Sequence, residues 1–164
     1  MYYIVIAALI AVDQVIKKAV TGSFGVHESI SLTGDFFNIT YIKNSGVAFS
    51  MFEGAGTILV MIPLAASLAA IVFIIRRNSK TSKVLMWGLS LIAGGGIGNI
   101  IDRIAYGYVI DYVSIGKFAV FNFADVCVCI GCALLASYVL FVYERVGSRS
   151  EEHTSELQSL GAIS

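Results

Sequence analysis

Four apolar stretches, each about as long as a bilayer-spanning helix, constrain this chain more than any other feature of its sequence. They run over roughly Met1–Val20, Thr57–Ile75, Val84–Tyr106 and Ala124–Tyr143. A helix needs about 20 mostly apolar residues to cross the hydrocarbon core of a bilayer. Charged residues make up only 13% of the chain, whereas a soluble domain carries roughly 25%. The sequence therefore predicts an all-α membrane protein with four transmembrane helices. The formal net charge of zero gives no reason to expect a nucleic-acid partner.

The first apolar stretch has the length of a secretory signal peptide but lacks its pattern. It has no basic start, and Asp13, Lys17 and Lys18 interrupt its far end, where a cleavage site with small residues would stand. We therefore expect a retained helix.

Basic residues predict which side of the membrane each connection faces. Arg76, Arg77, Lys80 and Lys83 lie between the second and third stretches, and Arg145 and Arg149 follow the fourth. Loops rich in Lys and Arg stay on the cytoplasmic side. Both termini should then be cytoplasmic, and the connections 21–56 and 107–122 should face outward.

The first outward connection carries strand-like patterns. Phe36–Ile42 is rich in β-branched and aromatic residues, and Asn44–Ser50 follows with a glycine that suits a turn. This pattern predicts a small β-rich segment on the outer surface, between helices 1 and 2. A short interfacial helix over Val47–Phe52 is the alternative.

The end of the chain looks foreign to the rest. Arg149–Ser159 resembles the in-frame translation of a DNA-sequencing adapter. We therefore expect one integral-membrane domain over residues 1–148 and a non-native tail over 149–164, which functional reasoning leaves out. An ordinary polar cytoplasmic tail is the alternative.

Two aspartates stand at the edges of apolar runs, Asp111 in the second outward connection and Asp125 at the start of the fourth stretch. An ionisable group at membrane depth is costly and therefore a candidate for function. Two carboxylates that meet share one proton, so that one acts as base and the other as acid, as in an aspartic protease. The structural alternative is that Asp125 only stabilises a helix start with Asn122, which lies three residues before it.

The end of the third stretch brings polar groups onto one helical face. Asn99, Asp102 and Arg103 follow the glycine-rich run 94–98 at spacings of three and four residues. The glycines allow another helix to approach closely. If this face points into the bundle, Arg103 balances a carboxylate and Asn99 binds substrate backbone. If it points outward, Asp102 and Arg103 are simply solvated.

Other polar positions have less specific interpretations. Asp13 and Lys17 have the spacing of a helix-stabilising pair, which predicts a structural or supporting role, with direct catalysis by Asp13 as the alternative. Three cysteines fall in the fourth stretch, at Cys127, Cys129 and Cys132. They favour helix packing over a metal site or a disulfide, because thiolate ligands need a polar site.

Rival chemistries have thinner support. A Ser-His-Asp triad would have to use His27, which has no nucleophile motif beside it. A Ser–Lys dyad, pairing Ser45 or Ser50 with Lys17 or Lys43, has no supporting spacing. A His-Glu-x-x-His metal signature is absent from the sequence. An ion-coupled carrier and a non-catalytic scaffold remain as the other functional classes.

Five motifs in order resemble the bacterial lipoprotein signal peptidases, also called signal peptidase II, a family of membrane aspartic proteases. They are Asp13-Gln14-x-x-Lys17, Asn44-x-Gly46-x-Ala48-Phe49, Gly95-x-x-Gly98-Asn99-x-x-Asp102-Arg103, Val109-x-Asp111-Tyr112 and Phe121-Asn122-x-Ala124-Asp125. The resemblance covers nearly the whole chain to about Tyr143. Tyr112 stands where Phe is frequent in the family, and the family's basic tail is missing.

The resemblance implies a function, a site and a location. Asp111 and Asp125 would be the catalytic pair. The supporting or substrate-binding residues would be Asp13, Lys17, Asn44, Gly46, Asn99, Arg103 and Asn122. The enzyme would remove signal peptides from diacylglyceryl-modified prolipoproteins, N-terminal to the lipidated cysteine. It would act as a monomer, without metal or cofactor, near the outer face of the bacterial inner membrane, in contact with membrane lipid. Globomycin-type peptides would inhibit it.

Overall fold

The computed structural model describes residues 1–34, 36–45, 55–76, 81–116 and 118–161, without the side chains of residues 55–60 and 143–161. The helices are α1 (Tyr2–Ser23), α2 (Ala55–Arg76), α3 (Lys83–Tyr106) and α4 (Phe123–Gly161). The strands are β1 (Ser29–Thr33), β2 (Phe37–Asn44), β3 (Val109–Ile115) and β4 (Ala119–Phe121). Gly46 and the alternative helix over Val47–Phe52 lie outside the described residues, so both stay predictions.

Each predicted apolar stretch corresponds to one helix, and most of the boundaries agree to within three residues. The exception is α4, which continues to Gly161 instead of ending near Tyr143. Hydropathy detects only the apolar part of a helix. The polar continuation contains glutamates at positions 144, 151, 152 and 156, and glutamate is a good helix former.

Two helices are long and apolar enough to cross a membrane, judged over the side chains that the structure describes. They are α3 and the Phe123–Val142 part of α4. In α2 the described apolar part, Met61–Arg76, is shorter, and α1 carries the charged residues of its polar motif. Two of the four predicted spans thus have the length and composition of a membrane-crossing helix, and the count of four spans remains a prediction.

Helix α3 lies at the centre, where it packs against α1, α2 and α4. Its glycines permit this crowding. A Cβ atom added at Gly95 would lie 2.4 Å from the carbonyl oxygen of Ala124, and one added at Gly94 would lie 2.9 Å from the Leu9 side chain. Real Cβ atoms do not approach so closely, so glycine sets the distances of α3 from α4 and α1. The expected role of the glycine run is therefore confirmed.

A four-stranded antiparallel sheet, in the order β1-β2-β3-β4, joins the two connections that the sequence places outside. Strands β1 and β2 confirm the predicted β-rich segment between the first two helices. Strands β3 and β4 were not predicted, so the all-α class is incomplete. Val109–Ile115 is rich in β-branched and aromatic residues, which was the available signal.

The sheet is fixed to the helices by a small hydrophobic cluster. Val20 of α1, Tyr41 of β2, and Ile110 and Tyr112 of β3 form its buried core. Pairing of β2 with β3 places Asn44 opposite Val109, two residues from Asp111 along the strand. The end of β2 thus lies beside the first candidate carboxylate.

Candidate active site

The largest side chains that are fully buried in the described part of the chain are polar or charged. They are Lys17, Asn122, Asp13, Asp102, Asp111, Ser67 and Ser90. Burial of a polar group costs free energy unless the group is hydrogen-bonded. A concentration of buried polar groups therefore indicates a hydrogen-bonded site. The first five belong to one network, formed where α1, the end of α3, β3 and the start of α4 meet.

Asp111 points from β3 into this network and is 2% exposed. Asn44 Nδ2 donates to its Oδ2 at 2.7 Å, and Asn122 Nδ2 donates to its Oδ1 at 2.7 Å. Both oxygens therefore accept an amide N–H. The sequence analysis assigned these two asparagines to support of the site or to substrate contact, and that assignment remains a prediction.

Asp125 lies in the first turn of α4 and is partly exposed. Its Oδ2 accepts the backbone N–H of Asn122 at 3.1 Å, while Asn122 Oδ1 accepts the backbone N–H of Asp125 at 3.0 Å. This reciprocal pair is a capping box, which is the structural role weighed from the sequence. The other oxygen, Oδ1, accepts Nδ2 of Asn99 at 2.7 Å. Asp125 therefore caps the helix with one oxygen and faces the polar network with the other.

Two asparagines link the carboxylates. Asn122 binds Asp111 through its side chain and Asp125 through its backbone. Its Nδ2 also donates to Asn99 Oδ1 at 3.0 Å. Because Asn99 in turn holds Asp125, the two acids share a single hydrogen-bonded frame.

Burial raises the pKa of Asp111 to about 6, from an ordinary value of 3.8. The negative charge of Asp125 adds to this increase, whereas the hydrogen bonds from Asn44 and Asn122 and the charge of Lys17 oppose it. Asp111 is thus poised to exchange a proton near neutral pH, as an acid–base catalyst requires.

Tyr112 anchors the start of α4 from the next position of β3. Its hydroxyl oxygen accepts the backbone N–H of Phe123 at 3.0 Å, and burial raises its pKa to about 12. The phenol therefore stays protonated at physiological pH. The phenylalanine that is frequent in the resembling family lacks this hydroxyl.

Lys17 supplies the positive charge of the network. Its Nζ lies 2.8 Å from Oδ2 of Asp13 and 2.8 Å from Oδ2 of Asp102, and it donates to Asn99 Oδ1 at 2.8 Å. Asp102 is fully buried, so the alternative of a solvated helix end is wrong for this residue. Sequence reasoning did not select Asp102, although its spacing from Asn99 was the available signal.

Arg103 makes fewer contacts with the polar network than the sequence suggested. It is partly exposed, and its guanidinium donates to the backbone carbonyl of Asn99 at 3.4 Å. Among the described residues, the ion pairs with the network's aspartates come from Lys17. The proposed balance of a carboxylate by Arg103 is therefore corrected.

The three cysteines all lie on α4. Cys127 is buried in the α3–α4 contact, and a Cβ atom at Gly95 would lie 3.1 Å from its own Cβ. Cys129 and Cys132 are exposed on α4, and all three are free thiols. Helix packing therefore accounts for Cys127.

Comparison with known families gives a match over most of the chain. The profile of the family described as Signal peptidase (SPase) II matches residues 5–141. The lipoprotein signal peptidase of Halothermothrix orenii is 38% identical over 147 residues, which cover 90% of this chain and 99% of that protein. The lipoprotein signal peptidase of Pseudoalteromonas translucida is 43% identical over 135 residues, covering 77% and 80%.

Solved structures give the same picture for the fold. A bacterial membrane enzyme determined by the in meso method at 1.9 Å resolution superposes with a TM-score of 0.77 at 26% identity. The match covers 85% of this chain and 92% of that structure. The helices and sheet described above therefore have a counterpart in a known membrane enzyme.

Proposed function

Because the chain belongs to the signal peptidase II family, we propose that Asp111 and Asp125 are the two carboxylates that carry out its reaction. Members of this family are aspartic peptidases, and the chain is accordingly a membrane protease that removes signal peptides from lipoprotein precursors. Family membership sets aside the carrier and scaffold interpretations. What we propose is which residues perform the cleavage.

One observation carries the assignment: both acids lie in one asparagine frame, close enough for the charge of Asp125 to raise the pKa of Asp111. Two neighbouring carboxylates can share one proton, so that one serves as acid while the other serves as base. An acid and a base are then available together at the same place.

In the proposed reaction, a water molecule lies between the two carboxylates. The ionised carboxylate takes a proton from this water as its oxygen attacks the scissile carbonyl carbon, and the protonated carboxylate donates to the carbonyl oxygen. Collapse of the tetrahedral adduct breaks the C–N bond, and a proton passes to the leaving amine. No metal or organic cofactor takes part in this scheme.

The proposed substrate is a prolipoprotein that carries a diacylglyceryl group, cut on the N-terminal side of the modified cysteine. Each acyl chain contributes about 0.8 kcal/mol per buried CH₂, so the membrane itself holds the substrate near the enzyme. We assign substrate contact or support to Asn44, Gly46, Asn99, Arg103 and Asn122. Globomycin-type peptides are the expected inhibitors, and a monomer is the expected functional form.

We further propose that the chain crosses the bacterial inner membrane four times with both termini in the cytoplasm. The basic residues between α2 and α3 and after α4 support this orientation. The sheet and the two carboxylates then lie at the outer face, where a translocated precursor presents its cleavage site. Residues 149–164 take no part in the proposed function.

The experiment is cleavage of one prolipoprotein, with and without its diacylglyceryl group, by purified enzyme in detergent. Wild type, Asp111→Asn and Asp125→Asn are compared, with Glu28→Gln as the matched control, since Glu28 is an exposed acid outside the network. We expect the wild type and Glu28→Gln to cut the lipidated substrate alone. Folded Asp→Asn variants that cut as fast as wild type would overturn the assignment, and cleavage of both substrates would overturn the lipid requirement.

A further inference from the structure

Three charged side chains, Asp13, Lys17 and Asp102, form a triad that is at most 1% exposed. Its lysine is linked through Asn99 to Asp125, one of the two proposed catalytic acids. Helix-stabilising pairs are normally found at the surface, where they contribute only a few tenths of a kcal/mol. A buried set of this kind is costly to desolvate, so its presence calls for a specific role.

One arm of the triad fixes the strand that carries the first acid. Asp102 Oδ2 accepts the backbone N–H of Ile110 at 3.1 Å. Ile110 is buried and immediately precedes Asp111. The carboxylate of α3 thereby holds the backbone of β3 one residue before the proposed catalytic position.

The other arm fixes the helix that carries the second acid. Asp13 Oδ1 accepts the backbone N–H of Ala124 at 3.2 Å. Ala124 immediately precedes Asp125, and its N–H belongs to the first turn of α4, where backbone donors lack intrahelical partners. A carboxylate at this end of a helix is also favoured by the helix dipole.

Lys17 joins the two arms. Its ammonium group contacts Asp13, Asp102 and the Asn99 side chain, each at 2.8 Å, which accounts for all three of its N–H donors. Gln14 Nε2 adds a second link, because it donates to Asp13 Oδ2 at 3.2 Å and to Asp102 Oδ1 at 3.0 Å. The two backbone anchors therefore belong to one rigid unit.

Close packing leaves this unit little freedom. A Cβ atom added at Gly98 would lie 2.6 Å from Asp13 Oδ2, so α1 and α3 approach each other directly at the triad. Each anchored amide is adjacent in sequence to a proposed catalytic acid. An ion-pair cluster that served only helix packing would have no reason to bind both of these amides.

We infer that Asp13, Lys17 and Asp102 are positioning residues, which set the distance between the two catalytic carboxylates by holding the backbone directly before each of them. This inference rests on the proposed function, because it takes Asp111 and Asp125 as the reacting groups. A displacement of about 1 Å at a reacting group is enough to lower a rate about 100-fold. Loss of an anchor should therefore lower kcat and leave KM nearly unchanged.

The test compares Asp102→Ala with Asp102→Asn in cleavage of the lipidated precursor. Alanine removes the acceptor of the Ile110 N–H but leaves Lys17 paired with Asp13, so no buried charge loses its only partner. Asparagine keeps one carbonyl oxygen in place. We expect kcat to fall about 100-fold for Asp102→Ala and about tenfold for Asp102→Asn, with KM within about twofold of wild type.

A purely structural role makes a different prediction. It would lower the melting temperature or the yield of both variants and leave kcat per folded enzyme at the wild-type value, which would overturn the inference. If Asp102→Ala does not fold, the test rests on Asp102→Asn. A folded Asp102→Asn variant with the wild-type kcat then overturns the inference. Asp111→Asn in the same assay separates the two proposals, because activity in that variant contradicts the catalytic assignment itself.

Discussion

Asn122 begins a helix and also binds both of the proposed catalytic acids. Its side-chain oxygen and backbone N–H begin α4 through the capping box with Asp125, while its side-chain amide binds Asp111. The structural and functional interpretations of Asp125 that the sequence left open are therefore compatible. The helix start fixes one acid, and the same asparagine fixes the other.

The pKa of Asp111 leads to a prediction for the pH dependence of catalysis. The proposed pair needs one proton, and Asp111 loses its own as the pH rises through about 6. For the free enzyme, kcat/KM should therefore fall on the alkaline side of about pH 6. Asn44 stabilises the ionised form of Asp111 through its hydrogen bond. Asn44→Ala should consequently raise the pKa of Asp111. The alkaline fall of kcat/KM should then occur at higher pH.

The measurement is the pH profile of kcat/KM for wild type, Asn44→Ala and the control Glu28→Gln. Glu28→Gln should superimpose on wild type, since this exposed side chain binds only the Gly25 backbone among the described contacts. If the alkaline fall of kcat/KM in Asn44→Ala moves to lower pH, or does not move, Asn44 does not stabilise the ionised form of Asp111.

The neighbouring residues Lys17 and Lys18 allow a comparison of how a buried and an exposed lysine affect the free energy of unfolding. Lys17→Met leaves two buried carboxylates without their cation, and breaking a buried ion pair on one side costs about 3–5 kcal/mol. Lys18 is exposed, so Lys18→Met should change the free energy of unfolding by no more than about 0.5 kcal/mol. Thermal unfolding of both variants in the same detergent measures the difference. Equal melting temperatures would contradict the buried triad.

At the scale of elements, α3 is the central helix, and it has glycines where α1 and α4 pack against it. The contact of Gly95 with the carbonyl of Ala124 places the first turn of α4 directly on α3. That turn contains Asp125, and the same stretch of α3 provides Asn99. The helix crossing and the site geometry are therefore coupled.

Gly95→Ala tests this coupling. Its Cβ would overlap the Ala124 carbonyl, so α4 must move, at a cost of about 1–3 kcal/mol in stability. The displaced Asp125 should also reduce kcat. Gly22→Ala is the control, because a Cβ at this position of α1 meets nothing within 4 Å and alanine favours a helix by up to about 1 kcal/mol. Cleavage rates and melting temperatures are measured for both variants, and wild-type behaviour of Gly95→Ala contradicts the coupling.

The elements also show which features the sequence could predict. Helix positions followed from hydropathy, which is a local property of each stretch. Strand β3 was missed although its β-branched and aromatic residues gave a local signal, and its pairing with β2 joins segments more than 60 residues apart in the chain. The two acids were predicted from their place at apolar edges. Asp102 was not selected, because its burial depends on the packing of α1 against α3.

At the scale of the whole molecule, the proposed topology has the sheet on the outer side of the membrane and the α2–α3 connection on the cytoplasmic side. Phe118, between β3 and β4, is 94% exposed, and Lys83 at the start of α3 is exposed as well. These two positions should therefore report opposite sides of the membrane.

The test introduces Phe118→Cys or Lys83→Cys in a chain whose three native cysteines are replaced. A membrane-impermeant maleimide is applied to spheroplasts before and after permeabilisation. Phe118→Cys should react at once, whereas Lys83→Cys should react only after permeabilisation. The reverse pattern, or equal labelling of both before permeabilisation, contradicts the proposed topology.

Asp111 and Asp125 are proposed to act as one catalytic unit, which is tested by measuring kcat for Asp111→Asn, Asp125→Asn and the double variant on the lipidated precursor. Groups that act as a unit have strongly non-additive effects. We predict that each single variant loses at least about 10⁴-fold in kcat and that the double variant is no slower than the singles. A single variant that keeps a substantial part of the wild-type rate, or a double variant whose loss is the product of the two single losses, would contradict the account.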